Sequence, residues 1–304
     1  MAQRVAMAPS LSPHLRLQKA LTEALGEKLP GDIPTKWEKF SDVIIFPQNS
    51  FSETGWGSDE KLWTTIANSF DVQRVARMGE VQGEFRKSGV ELLLGEDDWV
   101  VRREHGIDFG YNFTQCMWSA GNVTERGRIA NGNHEGERIL DLYAGIGYYT
   151  LPFLSEGTRG PNGERGEGRG AAHVVACEWN PISIKALKWS LTANNLQERC
   201  TILEGDNRNQ ELKPEFNRIN LGLLPSSEEG YTIALQALKT EGGVMHIHGL
   251  ASGGEEEVWA NNLAENLSNI GPFSCSVEHI ERVKWYAPHQ RHIVVDIRAS
   301  PVSC

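Results

Sequence analysis

The chain has 304 residues, of which 39% are hydrophobic and 23% are charged, and its formal net charge is −10. That length accommodates two modest domains or one large one. No apolar run approaches the roughly 20 residues of a membrane span. The negative net charge counts against a nucleic-acid-binding surface that covers the whole molecule. A local basic face is still compatible with RNA binding.

The cysteines indicate a reducing compartment. They form an odd, dispersed set without a C-x-x-C pair: Cys116, Cys177, Cys200, Cys275 and Cys304. Such a set is typical of free thiols in the cytosol or nucleus. The first ten residues carry one arginine and no long apolar core, unlike a secretory signal. We therefore predict a cytoplasmic protein.

The first third of the chain predicts a smaller α+β domain. Leucines at helical spacing predict a helix within residues 1 to 30, and a second helix is predicted over 58–70. A short buried strand is predicted over 43–47. Three more strand candidates, separated by glycine and acidic turns, follow at 90–94, 98–103 and 107–113. We place the domain boundary between residues 115 and 116, which gives an N-terminal domain of 1–115 and a second domain of 116–304.

From residue 137 the pattern alternates between strands and helices, after a helix predicted over 123–130. The predicted strands lie near 139–143, 173–178, 200–205, 218–224, 243–248, 275–285 and 291–298. Five βα units followed by a hairpin predict an α/β domain with a largely parallel sheet. The stretch 155–171, rich in glycine and charge, is predicted to be a flexible surface insertion.

The central motif is ILDLYAGIGYYTLP at 139–152, which predicts a strand, a glycine turn and the start of a helix. A bare G-x-G is equally compatible with an ordinary turn. The next strand ends in Glu178, an acidic residue placed to hold both hydroxyls of a ribose. The third strand ends in Gly205, Asp206 and Asn207, whose acid and amide suit the edge of an adenine ring.

Thr150 stands where a dinucleotide motif has its third glycine, and two tyrosines precede it, which argues against a pyrophosphate. The full constellation resembles the S-adenosylmethionine site of class I methyltransferase folds, and its members are Asp141, Gly145, Gly147, Glu178 and Asp206. The five βα units and hairpin match the seven-stranded, Rossmann-like sheet of the same class.

The loop after the fourth strand reads NLGLLP at 220–225. In this fold it lies beside the reacting end of the cofactor, where enzymes that methylate nitrogen often carry N-P-P-[YF]. Here the double proline and the aromatic residue are absent. Two interpretations stay open: an ordinary loop capped by Ser226 or Ser227, or a site with altered chemistry.

His246 and His248 share one face of a strand, but a third metal ligand is not evident nearby, so no metal site is predicted. Among the tryptophans, Trp118 and Trp285 flank predicted ligand edges and are candidates for stacking on a base.

Several stretches together resemble one family. They are CMWSAGNVTER at 116–126, DLYAGIGY at 141–148, ACEWNP at 176–181, GDNR at 205–208 and NLGLLPSS at 220–227. They are similar to the tRNA wybutosine-synthesizing protein 2 family of aminocarboxypropyltransferases, a sister of the tRNA guanine-N1 methyltransferases. The likeness runs from about residue 29 to the C-terminus.

The resemblance implies that S-adenosylmethionine donates its 3-amino-3-carboxypropyl group to C7 of 4-demethylwyosine at position 37 of phenylalanine tRNA. It places cofactor contacts on Ser119, Arg126, Glu178, Asp206 and Asn207. Within this interpretation Arg126, with Ser119, is the candidate for the methionine carboxylate. Asn220 is the candidate for contact with the base or the amino group, so Arg126 and Asn220 are the predicted catalytic residues.

Three alternatives remain at the level of the sequence. The first is a tRNA guanine-N1 methyltransferase with the same fold and cofactor. The second is an RNA-binding module that keeps a vestigial cofactor pocket. The third is a small-molecule methyltransferase, which only the acidic charge favours. The sequence predicts no oligomeric state.

Overall fold

The computed structural model describes residues 11–53, 55–56, 60–80, 83, 87–160 and 162–302. The chain divides into two compact units. One consists of Met1–Val100 and Asn112–Trp118, and the other of Val101–Tyr111 and Ser119–Cys304. We keep a boundary between residues 115 and 116 as a proposal.

The first unit is built from a four-stranded sheet and two helices. Its elements are α1 (Pro13–Leu25), β1 (Glu38–Phe40), β2 (Val43–Phe46), α2 (Glu60–Phe70), β3 (Arg74–Arg77) and β4 (Glu91–Leu94). The strand order is β1-β2-β3-β4, and β2 and β3 run parallel. β3 was not predicted as a strand, because its two arginines interrupt the apolar pattern.

Local signals set the limits of α1. Ser12 caps the helix by accepting a hydrogen bond from the Leu15 amide, and Pro13 occupies the first turn. The helix therefore begins later than the broad prediction over residues 1–30, and the first ten residues of that prediction lie outside the described residues. Residue 58, the predicted start of the second helix, lies outside them as well.

The second unit contains a seven-stranded sheet, which confirms the predicted class I methyltransferase fold. Its strands are β7 (Arg138–Asp141), β8 (His173–Glu178), β9 (Cys200–Glu204), β10 (Arg218–Leu221), β11 (Gly243–Ser252), β12 (Phe273–Ala287) and β13 (Gln290–Pro301). They are ordered β12-β13-β11-β10-β7-β8-β9. The five strands from β11 to β9 run parallel, and β13 lies antiparallel between β11 and β12.

The helices of this unit follow the predicted alternation. They are α3 (Val123–Ala130), α4 (Thr150–Leu154), α5 (Pro181–Ala193), α6 (Tyr231–Ala237) and α7 (Glu256–Ile270). A separate two-stranded hairpin is formed by β5 (Trp99–Glu104) and β6 (Ile107–Asn112), in agreement with the two predicted strands.

The strand order creates a topological switch beside β7. From β7 the chain passes to β8 on one side, and it later returns to place β10 on the other. Leu140, Val175 and Ile219 of these strands are buried in the core, as expected for parallel strands covered on both faces. Ligands of open α/β sheets bind at the carboxyl ends of the strands at such a switch, which directs attention to the segments that follow β7, β8 and β10.

The glycine-rich stretch 155–171 is hydrogen-bonded to the second unit in its described part. The Thr158 amide donates to Asn131 Oδ1 at 3.0 Å, and the Arg159 amide donates to the His105 carbonyl at 2.9 Å. Its predicted flexibility stays a prediction. Within the described residues, every helix is too short or too polar to cross a membrane.

Candidate functional site

The glycine turn joins the end of β7 to α4. Gly145 and Gly147 have φ values of +56° and +98°, in the left-handed region that residues with a Cβ rarely adopt. A Cβ at Gly147 would lie 2.9 Å from Leu187 Cδ1 and 3.1 Å from Leu151 Cδ1. Gly147 is therefore required for the packing of α4 against α5, whether or not a ligand passes close to it.

Asp141 lies fully buried at the end of β7 and joins three elements. Its carboxylate accepts hydrogen bonds from Thr150 Oγ1 at 2.7 Å and from Asn220 Nδ2 at 2.9 Å. Burial raises the pKa of Asp141, against the effect of these bonds. These contacts hold the start of α4 and the end of β10 against the end of β7, so the role of Asp141 is to position the segments around the site.

Glu178 closes the glycine turn from the neighbouring strand. Its Oε2 accepts a hydrogen bond from the Gly145 amide at 2.7 Å, and its Oε1 accepts from the Asn180 amide at 2.8 Å. Burial raises the pKa of Glu178, and the backbone amides oppose that effect. The carboxylate is thus held at the carboxyl edge of β8, where a ribose would reach it.

Asp206 and Asn207 follow β9 as predicted. Asp206 accepts a hydrogen bond from the Arg208 amide and forms an ion pair with the Arg208 guanidinium at 2.6 Å. Both contacts lower the pKa of Asp206. Asn207 is buried, and its Nδ2 donates to the Leu142 carbonyl at 2.7 Å. That bond ties the segment after β9 to the segment after β7.

Asn220 is fully buried at the end of β10. Its amide nitrogen is committed to Asp141, while its Oδ1 is buried without a hydrogen-bond partner. A buried acceptor without a donor costs about 1–3 kcal/mol. This oxygen is available to accept a hydrogen bond from a ligand or a water molecule.

Arg126 and Ser119 form a second group. The guanidinium is 1% exposed, and its Nε and Nη2 donate to the two carboxylate oxygens of Glu104 at 2.5 and 2.9 Å. Its Nη2 also donates to the Ser119 carbonyl at 3.1 Å. Sequence reasoning missed Glu104, because it lies in the β5–β6 hairpin, 22 residues away.

Tyr149 connects the Arg126 and Ser119 group to the glycine turn. Its hydroxyl accepts a hydrogen bond from Asn122 Nδ2 at 3.4 Å, and Asn122 Oδ1 accepts one from Ser119 Oγ at 3.1 Å. The Tyr149 ring lies 4.8 Å from the ring of His248, and a Cβ on Gly222 would lie 3.5 Å from it. Burial raises the pKa of Tyr149, so the hydroxyl stays protonated.

The predicted histidine pair lies on one face of β11, but the two rings have different partners. His246 Nδ1 lies 2.6 Å from Asp296 Oδ1, and His248 Nδ1 lies 3.0 Å from His292 Nε2. Among the residues that the structure describes, no group of three or more His, Cys, Asp or Glu side chains is arranged to hold a metal ion.

The two tryptophans singled out from the sequence lie in different units. Trp118 belongs to the first unit, and Trp285 to the second. Trp285 is 57% exposed, with the Arg291 guanidinium 4.1 Å above its ring.

The structure therefore brings together most of the predicted site residues at the carboxyl edge of the sheet. Asp141 contacts Asn220, and Glu178 contacts Gly145. Ser119 and Arg126 contact each other. Sequence reasoning missed Tyr149 and Lys284, whose Nζ donates to Ser119 Oγ at 2.5 Å. The pair of adjacent tyrosines was the sequence signal for Tyr149, whereas no local pattern indicated Lys284.

Comparison with known families assigns both parts of the chain. Residues 100–278 match the TRM5/TYW2 methyltransferase domain, and residues 17–98 match the TYW2 N-terminal domain. The Danio rerio tRNA wybutosine-synthesizing protein 2 homolog is 34% identical over 336 residues, covering 96% of this chain and 79% of the relative.

A longer plant relative matches as well. The Arabidopsis thaliana tRNA wybutosine-synthesizing protein 2/3/4 is 40% identical over 299 residues, or 94% of this chain. The chain spans 29% of that relative's length. The crystal structure of Pyrococcus horikoshii TYW2 in complex with MeSAdo has the same fold, with a TM-score of 0.77 at 24% identity, covering 94% of this chain and 99% of that one.

Proposed function

Because this chain belongs to the TRM5/TYW2 family, we propose that it transfers the 3-amino-3-carboxypropyl group of S-adenosylmethionine to C7 of 4-demethylwyosine at position 37 of phenylalanine tRNA. One observation carries the choice within the family. The methyltransferase domain model covers both TRM5 and TYW2 proteins, whereas the N-terminal model matched by residues 17–98 is that of TYW2 alone.

The described residues fit S-adenosylmethionine as the donor. The Glu178 carboxylate is held at the edge of β8 for the ribose hydroxyls, and Asp206 and Asn207 stand after β9 for the adenine edge. The buried Asn220 Oδ1, which has no hydrogen-bond partner, is an acceptor for an amino group or for the base. These assignments follow the positions of the strand ends and remain part of the proposal.

The protein's contribution to the chemistry is mainly positioning. When bound, S-adenosylmethionine supplies an electrophilic carbon on a positively charged sulfur, and transfer to C7 releases methylthioadenosine and one proton. Three carbons surround that sulfur, so the residues that hold the methionine part decide which carbon faces the base. We assign this role to Ser119 and Arg126, since they contact each other and Ser119 is linked through Asn122 to Tyr149, just after the glycine turn.

Arg126 cannot carry this role by charge alone. Glu104 already balances its guanidinium through two hydrogen bonds, so a bound carboxylate would have to share the guanidinium with a second anion. Asn220, the second predicted catalytic residue, is held in place by Asp141. Its free acceptor would orient the base or the amino group without taking a proton.

The partner in this proposal is phenylalanine tRNA, and the location is the cytoplasm. The net charge of −10 restricts RNA contact to local surfaces. The exposed Trp285 with Arg291 on its ring is one such surface, since a guanidinium and an indole both stack on bases. The cysteines among the described residues are free thiols, which agrees with a reducing compartment.

The decisive experiment is a double-label transfer assay with phenylalanine tRNA that carries 4-demethylwyosine. One batch of S-adenosylmethionine is labelled in the carboxyl carbon and another in the methyl group. We expect the carboxyl label on the tRNA and the methyl label in methylthioadenosine. A parallel reaction uses phenylalanine tRNA with an unmodified guanine at position 37. Methyl label on that tRNA, with no label on the tRNA that carries 4-demethylwyosine, would establish the alternative, a tRNA guanine(37)-N1-methyltransferase.

Two further outcomes separate the remaining alternatives. tRNA binding without any transferred label would indicate an RNA-binding module. Turnover of S-adenosylmethionine without affinity for tRNA at low salt would indicate a small-molecule methyltransferase, because electrostatic RNA binding is strongest at low ionic strength.

A further inference from the structure

One face of the β11–β13–β12 ribbon carries a polar stripe. His246 pairs with Asp296 across β11 and β13, and His292 pairs with Lys284 across β13 and β12. His248 contacts His292 on the same face. Directly opposed residues of neighbouring strands place their side chains on one side of a sheet, so these five side chains form a continuous row.

The inner half of the stripe is balanced in charge. Arg218 donates to Glu137 and to His246 Nε2. Because His246 Nε2 accepts this bond, the proton of the neutral ring lies on Nδ1, which donates to Asp296. Arg128 donates to Asp296 at 2.7 and 3.0 Å. Burial lowers the pKa of His246 to about 4, so the ring is neutral between its two charged neighbours.

Arg128 contacts a second carboxylate, and the neighbouring Arg126 has a carboxylate partner of its own. Arg128 Nε donates to Glu125 at 2.7 Å, and Arg126 pairs with Glu104. The three arginines thus contact four carboxylates, and Lys284 brings the number of cations around the stripe to four.

The outer end of the stripe is formed by a lysine. Lys284 is half-buried, and its ammonium donates to the neutral hydroxyl of Ser119 at 2.5 Å. It has no carboxylate partner among the residues that the structure describes. Burial lowers the pKa of Lys284, and the nearby charge of Arg126 lowers it further.

The neighbouring histidines are neutral and add no further positive charge. Burial lowers the pKa of His292 to about 4, with a further contribution from Lys284. Burial also moves the pKa of His248 well below its usual value. The stripe thus ends in a half-buried ammonium that donates to a hydroxyl and contacts no carboxylate of the described residues.

The place of this charge points to its ligand. From Lys284 a chain of hydrogen bonds runs through Ser119 and Asn122 to Tyr149, which stands two residues after Gly147 of the glycine turn. These bonds connect the ammonium to the candidate site. In the sheet, Glu178 ends β8 on one side of β7, and Lys284 belongs to β12 on the other side, beyond β10 and β11. The proposed function places the reacting end of S-adenosylmethionine on that second side.

We propose that Lys284 binds the carboxylate of the methionine moiety of S-adenosylmethionine, with the Ser119 hydroxyl as its orienting partner. This inference rests on the proposed function. A bound carboxylate would accept a charge-assisted hydrogen bond from the ammonium, and this bond would offset the effects of burial and of the nearby Arg126. Lys284 would then act together with Ser119 and Arg126 in fixing the direction of the aminocarboxypropyl chain.

Calorimetric binding tests this without the transfer reaction. The ligands are S-adenosylhomocysteine, its decarboxylated analogue and methylthioadenosine, which lacks the whole amino acid. The variants are Lys284→Met, which keeps an unbranched stem over Gly121, a second neutral variant Lys284→Gln, and the conservative Lys284→Arg. The control is Lys213→Gln, an exposed lysine of the same unit.

We expect both neutral variants to bind S-adenosylhomocysteine about 10- to 100-fold more weakly, the range for one hydrogen bond between charged groups. Their affinities for the decarboxylated analogue and for methylthioadenosine should match those of the unaltered chain. Lys284→Arg should recover most of the loss, and Lys213→Gln should change nothing. Removal of the ligand carboxylate and substitution of Lys284, separately and together, form a double-mutant-type cycle that isolates the interaction energy between the two groups.

The opposite outcomes are equally clear. Unchanged binding of S-adenosylhomocysteine, or an equal loss for all three ligands, would overturn the role of Lys284 and leave the proposed function standing. If the unaltered chain binds none of the three ligands, the proposed function itself fails.

Discussion

Replacing Glu137 by glutamine tests the buried polar network beneath the candidate site. Glu137 precedes β7, and its carboxylate accepts hydrogen bonds from Arg218 Nε and Nη2 at 2.7 and 2.9 Å. Arg218 in turn holds His246 on β11. The substitution keeps the shape of the side chain but removes the charge that pairs with a half-buried guanidinium.

The expected magnitude follows from the pKa of Glu137. Burial raises it, but hydrogen bonds from Arg218 and His134 outweigh burial and lower the pKa from 4.5 to about 2. At about 1.36 kcal/mol per unit, the ionised carboxylate contributes about 3 kcal/mol of folding free energy at pH 7. Because the folded pKa is below the unfolded one, this stability is complete above pH 4.5 and is lost as the pH falls towards 2.

The assay is urea unfolding followed by tryptophan fluorescence at pH 7 and pH 3.5. Glu137→Gln should unfold with about 3 kcal/mol less free energy at pH 7 and only about 2 kcal/mol less at pH 3.5. Glu135→Gln is the matched control, since Glu135 is exposed and lies in the same segment. It should stay within about 0.5 kcal/mol. A Glu137 difference that is independent of pH, or equal to that of the control, would refute the assigned pairing.

Three further predictions concern the site directly. Gly147→Ala should lower the free energy of unfolding by about 1–3 kcal/mol in the same assay, because its φ is +98° and its Cβ would meet Leu187; full stability would contradict the tight packing of the turn. Arg126→Ala should raise the KM for S-adenosylmethionine or abolish transfer, and unchanged kinetics would remove Arg126 from the site. Gly121→Ala should weaken S-adenosylhomocysteine binding without a large loss of stability, since its Cβ would come within 2.6 Å of the flexible stem of Lys284; calorimetry with methylthioadenosine, whose affinity should be unchanged, provides the control.

Much of the fold could be predicted because its signals are local. The limits of α3 were predicted to the residue, and β8 was predicted over its full length. The alternation of His246 and His248 correctly predicted a shared strand face, since strand side chains repeat every two residues. The acidic residue at the end of β8 and the two glycines after β7 could likewise be predicted from neighbouring residues, without knowledge of distant contacts.

The sequence by itself therefore determined the class of fold, the glycine turn and the position of Glu178 at a strand end, all of which depend on neighbouring residues. Only the tertiary structure decided the charge partners. It paired Arg126 with Glu104 and brought Lys284 to Ser119, which is 165 residues away along the chain. The physical reason is that a charged side chain carries no sequence signal for its partner, which depends on which strands and helices the fold packs side by side.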